Sequence, residues 1–574
     1  MHSTQRENSI RPSETHEAIR ERNQRRTRDN SKRGSIDYAA PTAVAKADLQ
    51  TAFASIRELL GGRQHKFSNY DVLVEVTNFF LMRNGPASGS DPVRNPEDDG
   101  HCFEATDKNK TEDRMFLCTS SSVNNLVARI EEHRRCCGAN LKCERTNLIG
   151  HAGRLHFVCN SNDAKHRWTW YSSSTLPNGK LLVNYRMLHA VETSGMLYAQ
   201  YDALCKAGNM GVLGKQYRKT FISQYGPIVE RSAEESRSDA LLEEIAFYGP
   251  ERRGGIEVMS DARHATRKNA KQSDIVFLGD RTHKCVYKTC VTREDDTCSQ
   301  RHEMAGVRRF YEWADENAVP VDIHAHDRNA SVNKFIREER PETQNSNDTW
   351  HVTKQVGREV KKITSGAQRN HGKTWHADLS DKGASIKTHF YWCMKHAKTY
   401  MRETGHDTNT REEACQILRQ RLDNIVNHYQ GNHGECHPTS GCRSGSYEPT
   451  WRLIRSPVAV RLLSNFIRSS VVYKQPEHFI DCKDTHYVES YNNVVLVYTD
   501  KRVVLGNYTY KLRSDMACLD WNENVDRPAT STVAPEPDHR RPRRQSGYRN
   551  TVRKTSQWKN RIWREMMTSI FTID

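Results

Sequence analysis

The chain has 574 residues, 36% hydrophobic and 28% charged, with a net charge of +16 and a pI near 9.1. That length accommodates about three or four domains of roughly 100–200 residues each. It contains no apolar run of about 18 residues, which argues against a membrane-spanning helix, and its N-terminal stretch lacks the apolar segment of a secretory signal.

The basic excess points to a polyanionic partner, most often nucleic acid. It is partly concentrated in the ends: residues 1–35 hold 9 Lys/Arg against 5 Asp/Glu, and residues 526–574 hold 11 against 5. The sequence has 16 cysteines, many close to histidines. Without a secretory signal, metal binding or buried thiols are expected rather than disulfides.

In chain order, residues 1–45 read as a disordered basic arm and 46–100 as a small N-terminal domain closed by a Gly/Pro/Asp-rich loop. Residues 101–175 form a Cys/His-rich module with short strand-like runs such as GRLHFVCN and HRWTWYSSS. Residues 176–250 are long, amphipathic and helical in pattern. Three strand-like runs follow (IEVMSD, SDIVFLG, CVYKTCV), then a helix, the strand VPVDIHAHD and further helices. This order predicts an α/β fold in which a mixed sheet is flanked by helices. Residues 251–365 would be its first part, 366–480 a helical insertion, 481–524 its last part, and 525–574 a basic tail carrying one terminal amphipathic helix.

Asp261 and Asp327 each end an apolar strand, and Glu489 lies on a predicted helix (HYVESYN). Carboxylates just past strand ends meet at a sheet edge when their strands are neighbours. Hard cations such as Mg²⁺ and Mn²⁺ prefer such oxygen ligands. The alternative is ordinary, since Asp also caps helices and starts turns. His351 follows Asp348 at a predicted helix start, where Asp348 is expected to act as the cap.

These residues stand in an ordered set of motifs. IEVMSDAR is followed by Asn269-Ala270-Lys271, then Asp327-Arg328 with Ile336-Arg337, then Asp348-Thr349-Trp350-His351, then Glu489 ahead of Asn492 and Asn493. Over roughly residues 250–525 the pattern resembles DDE-type DNA transposases of the Mutator-like kind. The resemblance implies an RNase-H-like mixed-sheet core with a helical insertion between Asp327 and Glu489. It implies Asp261, Asp327 and Glu489 as the catalytic carboxylates for Mg²⁺ or Mn²⁺, and His351 as a residue near the scissile phosphate. It implies cutting and joining of DNA by two-metal phosphoryl transfer. The basic surroundings of Asp261 keep open a domesticated, catalytically silent DNA-binding derivative.

Two Cys/His clusters have spacings suited to structural Zn²⁺. The first comprises Cys137, Cys143, Cys159 and His166, with Cys102 and Cys118 as possible substitutes. The second comprises His433, Cys436, His437 and Cys442, with Cys393 and His396 nearby in pattern. Transposases of the resembling kind often carry a zinc-type DNA-binding module upstream of the core, which implies double-stranded DNA recognition by residues 101–175. The Arg/Lys runs at 358–369 and 540–554 suit phosphate neutralisation or nuclear localisation. A homo-oligomer is expected, with the apolar run 455–473 as a possible subunit contact, and no membrane partner.

Overall fold

The computed structural model describes residues 114–572, except 162–165, 249–254, 267–268, 406–407, 445–446 and 534–547. The expected basic arm, the small domain at 46–100 and Cys102 lie outside the described residues.

The described chain is mixed α/β. It begins with helix α1 (Ser120–Cys136) and a three-stranded antiparallel sheet, β1 (Leu141–Ile149), β2 (Ala152–Cys159) and β3 (Arg167–Tyr171). The expected strand-like runs GRLHFVCN and HRWTWYSSS fall on β2 and β3, and ahead of them stands a 17-residue helix that the sequence reading did not single out, capped by Thr119 and with His133, Arg134 and Arg135 in its last turn. Three helices follow: α2 (Leu182–Thr193), α3 (Tyr198–Ala207) and the long α4 (Lys215–Tyr248).

The central sheet comprises β4 (Ile256–His264), β5 (Gln272–Gly279), β6 (Cys285–Thr292), β7 (Val321–His326) and β8 (Gln344–Asn347), in the order β6-β5-β4-β7-β8. The first three strands form an antiparallel meander, whereas β7 pairs parallel to β4 and β8 parallel to β7. Helix α5 (His302–Glu316) makes the crossover between β6 and β7, and α6 (Ala330–Glu339) links β7 to β8. All eight residues of β5 are buried, as expected of a strand covered on both faces.

Side-chain alternation divides the sheet between two cores. Ile256, Val258, Ile275 and Phe277 pack with Phe310, Val332 and Phe335 on the α5/α6 side. Met259, Val276, Leu278 and Ala325 face the other way, toward α13 (His486–Tyr498), α14 (Asn507–Asn524) and α4. By the same two-residue period, Asp261 and Asp327 face α13.

A third core belongs to the helical insertion. It joins α7 (Thr349–Glu359), the short α8 (Lys361–Thr364), α9 (Gly383–Thr404), α10 (Thr408–Tyr429), α11 (Pro457–Ser469) and the short α12 (Val471–Lys474). Ala459, Leu463, Phe466 and Ile467 of α11 are buried here. The apolar stripe at 455–473 is therefore used within the chain, and not left free for a second subunit.

The C-terminal stretch departs from the expected tail. Trp558, Ile562, Met566 and Ile570 of α15 (Gln557–Phe571) are buried in the core shared with α4 and α14. Glu523 caps this helix, accepting from the backbone N–H groups of Gln557 and Trp558. The expected terminal amphipathic helix therefore forms, with its apolar stripe buried in the core and not carried on a tail. No described helix is long and apolar enough to cross a membrane.

Candidate active site

The carboxylates meet because of strand register. Ser260 of β4 pairs with His326 of β7, and His326 pairs with Asn347 of β8. Asp261, Asp327 and Asp348 each stand one residue beyond that line. Asp327 and Asp348 thus stand just past the ends of β7 and β8, at the carboxyl side of the sheet where open α/β sheets place their ligand sites. Asp261 does not end its strand as expected: β4 runs on to His264, with Asp261 paired to Val276, because β5 continues to pair with β4 beyond the end of β7.

Asp348 has both oxygens engaged, and its Oδ2 also lies 3.3 Å from His351 Nδ1. It is the N-cap of α7, its Oδ1 accepting from the N–H of His351 at 2.7 Å. Its Oδ2 accepts from the N–H of Thr485 at 2.9 Å and from the Thr485 hydroxyl. Only 3% of the residue is exposed. Asp348 therefore ties the start of α7 to the start of α13, the helices that carry His351 and Glu489. Thr349 adds two bonds to the carbonyl of Lys483, from its N–H at 3.0 Å and its hydroxyl at 2.8 Å. Lys483 is anchored in turn to Asp280 at 2.7 Å and to Glu257.

His351 stands between the remaining acids. Its Nδ1 lies 3.0 Å from Asp327 Oδ1, and its Nε2 lies 3.7 Å from Glu489 Oε1. Despite the 3.0 Å separation, neither Asp327 Oδ1 nor His351 Nδ1 has an aligned hydrogen-bond partner, and both atoms are buried. Two ligand atoms about 3.0 Å apart have the spacing of neighbouring ligands on one cation with bonds of about 2.1 Å. Asp261 is held by the N–H of Ala262 on Oδ1 (2.8 Å) and the amide of Asn492 on Oδ2 (2.9 Å). Asn492 sits three residues after Glu489, so one face of α13 addresses both aspartates.

A further acid joins from the opposite layer. Glu303, in the first turn of α5, is half-buried and lies within electrostatic reach of Asp261 and Asp327. Burial pushes the carboxyl of Asp261 up to about 7, reinforced by the negative charges of Asp327 and Glu303. Burial also raises Asp327; Asp348 and Glu489 add to the rise while His351 and Lys354 oppose it. Glu303 is raised by burial and by Asp327. Crowded carboxylates resist ionising together, and a divalent cation relieves that repulsion. The residue types and their frustration fit a hard metal ion.

The basic neighbours of Asp261 are engaged elsewhere. Arg263 is buried, donating to the carbonyl of Thr499 and, at 3.3 Å, to the hydroxyl of Tyr510. His264 Nδ1 lies 2.7 Å from the Ser273 hydroxyl. Neither neutralises the site.

Both Cys/His clusters form, each with one member exchanged. In the first, His133, Cys137, Cys159 and His166 bring their ligand atoms within 4.8 Å of one another. The sulfurs of Cys137 and Cys159 are 3.6 Å apart, and His133 Nε2 is 3.4 Å from His166 Nδ1. Ligands at about 2.3 Å (sulfur) and 2.0 Å (nitrogen) from a tetrahedral ion would be about 3.7 and 3.3 Å apart. Cys143 does not take part; it is exposed on β1, its thiol facing the Arg145 carbonyl and the Thr146 hydroxyl. His133 replaces it because α1 places residues 133 and 137 one turn apart. Cys118 is also outside the cluster.

In the second, the set is His428, His433, Cys436 and Cys442. Cys436 Sγ lies 3.5 Å from His428 Nδ1 and 3.7 Å from His433 Nδ1. His437 points away and bonds the Thr439 hydroxyl at 2.7 Å. Cys393 is buried in the insertion core and is not a member. These two groups, and a third made of Asp327, Asp348 and His351, could each hold a metal ion; Asp261 and Glu489 are not members of that third group.

No protein-family model matches the chain, and no curated protein matches it.

Proposed function

We propose that the chain is a DDE-type DNA transposase of the Mutator-like kind, using Asp261, Asp327 and Glu489 to hold Mg²⁺ or Mn²⁺ for DNA cutting and joining. The observation that carries this reading is the register. Asp261 within β4 and Asp327 just past the end of the adjacent parallel strand β7 face a helix-borne glutamate, with His351 among them. The sheet order, an antiparallel meander followed by two parallel strands, supports an RNase-H-like core. The helical insertion with its own hydrophobic core, between Asp327 and Glu489, supports the same reading.

The metal ions would supply activation of a water or 3′-hydroxyl and stabilisation of the leaving oxygen. The chain's own residues would do the positioning. Asn492 and the Ala262 N–H fix the rotamer of Asp261. The Asp348 clamp sets the spacing of α7 and α13. His351, with Nε2 turned toward Glu489, would donate to a non-bridging phosphate oxygen.

Zn²⁺ is the metal we assign to the two Cys/His clusters, from their tetrahedral ligand spacing. The first would staple α1 to the β2–β3 hairpin. The second would pin the loop after α10.

The test is nicking of supercoiled plasmid and of labelled duplex by the purified protein with Mn²⁺ or Mg²⁺. Metal-dependent nicking that falls at least 100-fold in Asp261→Ala and in Asp327→Ala is expected. Nicking that persists at the wild-type rate in Asp327→Ala would remove the assignment. Metal binding without any nicking would identify a silent derivative.

A further inference from the structure

Helix α7 leads away from the carboxylates with a row of cations. Lys354 follows His351 by three residues, Arg358 comes four later, and Lys361 opens α8. Lys387, from α9, faces them across a groove of about 780 Å³. All four are exposed. The floor is made of small residues, among them Gly357, Gly383 and Ala384. A Cβ at Gly357 would lie 3.1 Å from Lys387 Cδ, so the lysine crosses the bare glycine.

Exposed cations on helices are ordinarily balanced by acids three or four residues away. Here, among the described residues, no ion pair joins any of the four to a carboxylate. The one acid in the lining, Asp381, is committed: Oδ1 accepts from Lys382 Nζ at 2.6 Å and Oδ2 from the N–H of Arg452 at 2.9 Å. Lys354 also covers the half-exposed Trp350, its Nζ 2.6 Å from the ring centre. At its other end the row reaches the metal site, for Lys354 stands about one turn of α7 beyond His351.

We infer that this groove binds the sugar-phosphate backbone of a DNA strand whose scissile phosphate lies at the carboxylates. The inference rests on the proposed nucleic-acid chemistry of that site and adds the path of the strand. Lys354 to Lys361 covers about 10 Å of helix axis, the rise over which one strand of duplex carries about three phosphates. Small residues on the floor let a backbone approach, and the cations along its walls are placed for phosphate contacts, which carry no sequence information.

The test is fluorescence anisotropy of full-length protein with a labelled duplex of random sequence in EDTA, at KCl stepped from about 50 to 300 mM. Replacing Arg358, Lys361 and Lys387 together by Gln should reduce the slope of log K against log salt by about 2.7, at about 0.9 per phosphate contact. Arg358→Lys alone should keep the wild-type slope. An unchanged slope in the triple variant overturns the inference. So does polyglutamate that displaces the duplex at equal charge concentration, which would assign the groove to an acidic protein. Asp261→Asn and Asp327→Asn should lose Mn²⁺ binding without the slope loss of the triple variant, and the triple variant should keep Mn²⁺ binding. Failure of the groove and failure of the metal site are thus read separately.

Discussion

Replacing Asp348 by alanine should loosen the site from beneath while leaving every other candidate ligand in place. The side chain accepts three bonds: from the N–H of His351, the N–H of Thr485 and the Thr485 hydroxyl. A lost N-cap costs about 1 kcal/mol. Each bond to a buried charged acceptor contributes about 1.5 kcal/mol, and the stranded donors have no route to water. The sum is about 3–4 kcal/mol, and it falls on the first turns of α7 and α13. Amide exchange followed by mass spectrometry reads this locally. Peptides covering 349–356 and 484–490 should lose about two to three decades of protection, at ~1.4 kcal/mol per decade. Peptides from β5 should be unaffected. Asp348→Asn, which keeps one acceptor oxygen, should fall in between. Unchanged protection in both helix starts of Asp348→Ala would refute the clamp, because no other described contact replaces those three bonds.

Zinc content separates the two ligand sets. Native protein should carry two equivalents, Cys137→Ser and Cys436→Ser should each lose one, and Cys143→Ser and His437→Ala should keep both; loss in Cys143→Ser would restore the spacing-based set. Glu303→Gln removes a negative charge near Asp261 and Asp327 and should weaken Mn²⁺ binding about tenfold, or ~1.4 kcal/mol; unchanged affinity would exclude Glu303 from the site. Acid stability has a definite sign at His189. Burial, with Arg186 and Lys559 nearby, holds this imidazole down to about 3, so the folded state binds fewer protons than the unfolded chain. Stability is complete above about pH 6.5 and is lost as pH falls, by about 2 kcal/mol at pH 5. Urea unfolding of His189→Gln should show that much less acid sensitivity between pH 7 and 5, and an identical pH profile would contradict the assignment.

Period and order carried much of the fold into the sequence. The runs IEVMSD, SDIVFLG and VPVDIHAHD are continuous apolar segments, as strands buried on both faces must be, and each became a strand of the central sheet. Asp327 was legible as a strand end; Asp261 was not, since β4 runs on to His264, and the adjacency of the two was not legible either. It depends on the pairing of Ser260 with His326, and register is a property of the assembled sheet. Glu303 was hidden for the same reason, since an acid in the first turn of a helix is already explained by the helix dipole. The metal clusters were legible as compositions and misread in membership. His133 was overlooked because the helix at 120–136 was not recognised, and only on a helix does the interval from His133 to Cys137 become one turn. His428 was overlooked because it belongs to the last turn of α10, not to the Gly-rich loop that drew attention. The buried stripe of α15 shows the converse limit: net charge describes a segment's surface and says nothing of the few residues that anchor it.

The most direct measurement is Mn²⁺ binding by calorimetry at pH 7.5, on protein whose Cys/His sites are already filled with zinc. Binding should be clear in the native chain and should fall by two orders of magnitude or more in Asp327→Asn, with Asp261→Asn close behind, because both supply oxygens at one place. Equal Mn²⁺ affinity in native protein and in Asp327→Asn would contradict the account: the acids would then be structural residues only, and the register that gathers them would carry no chemistry.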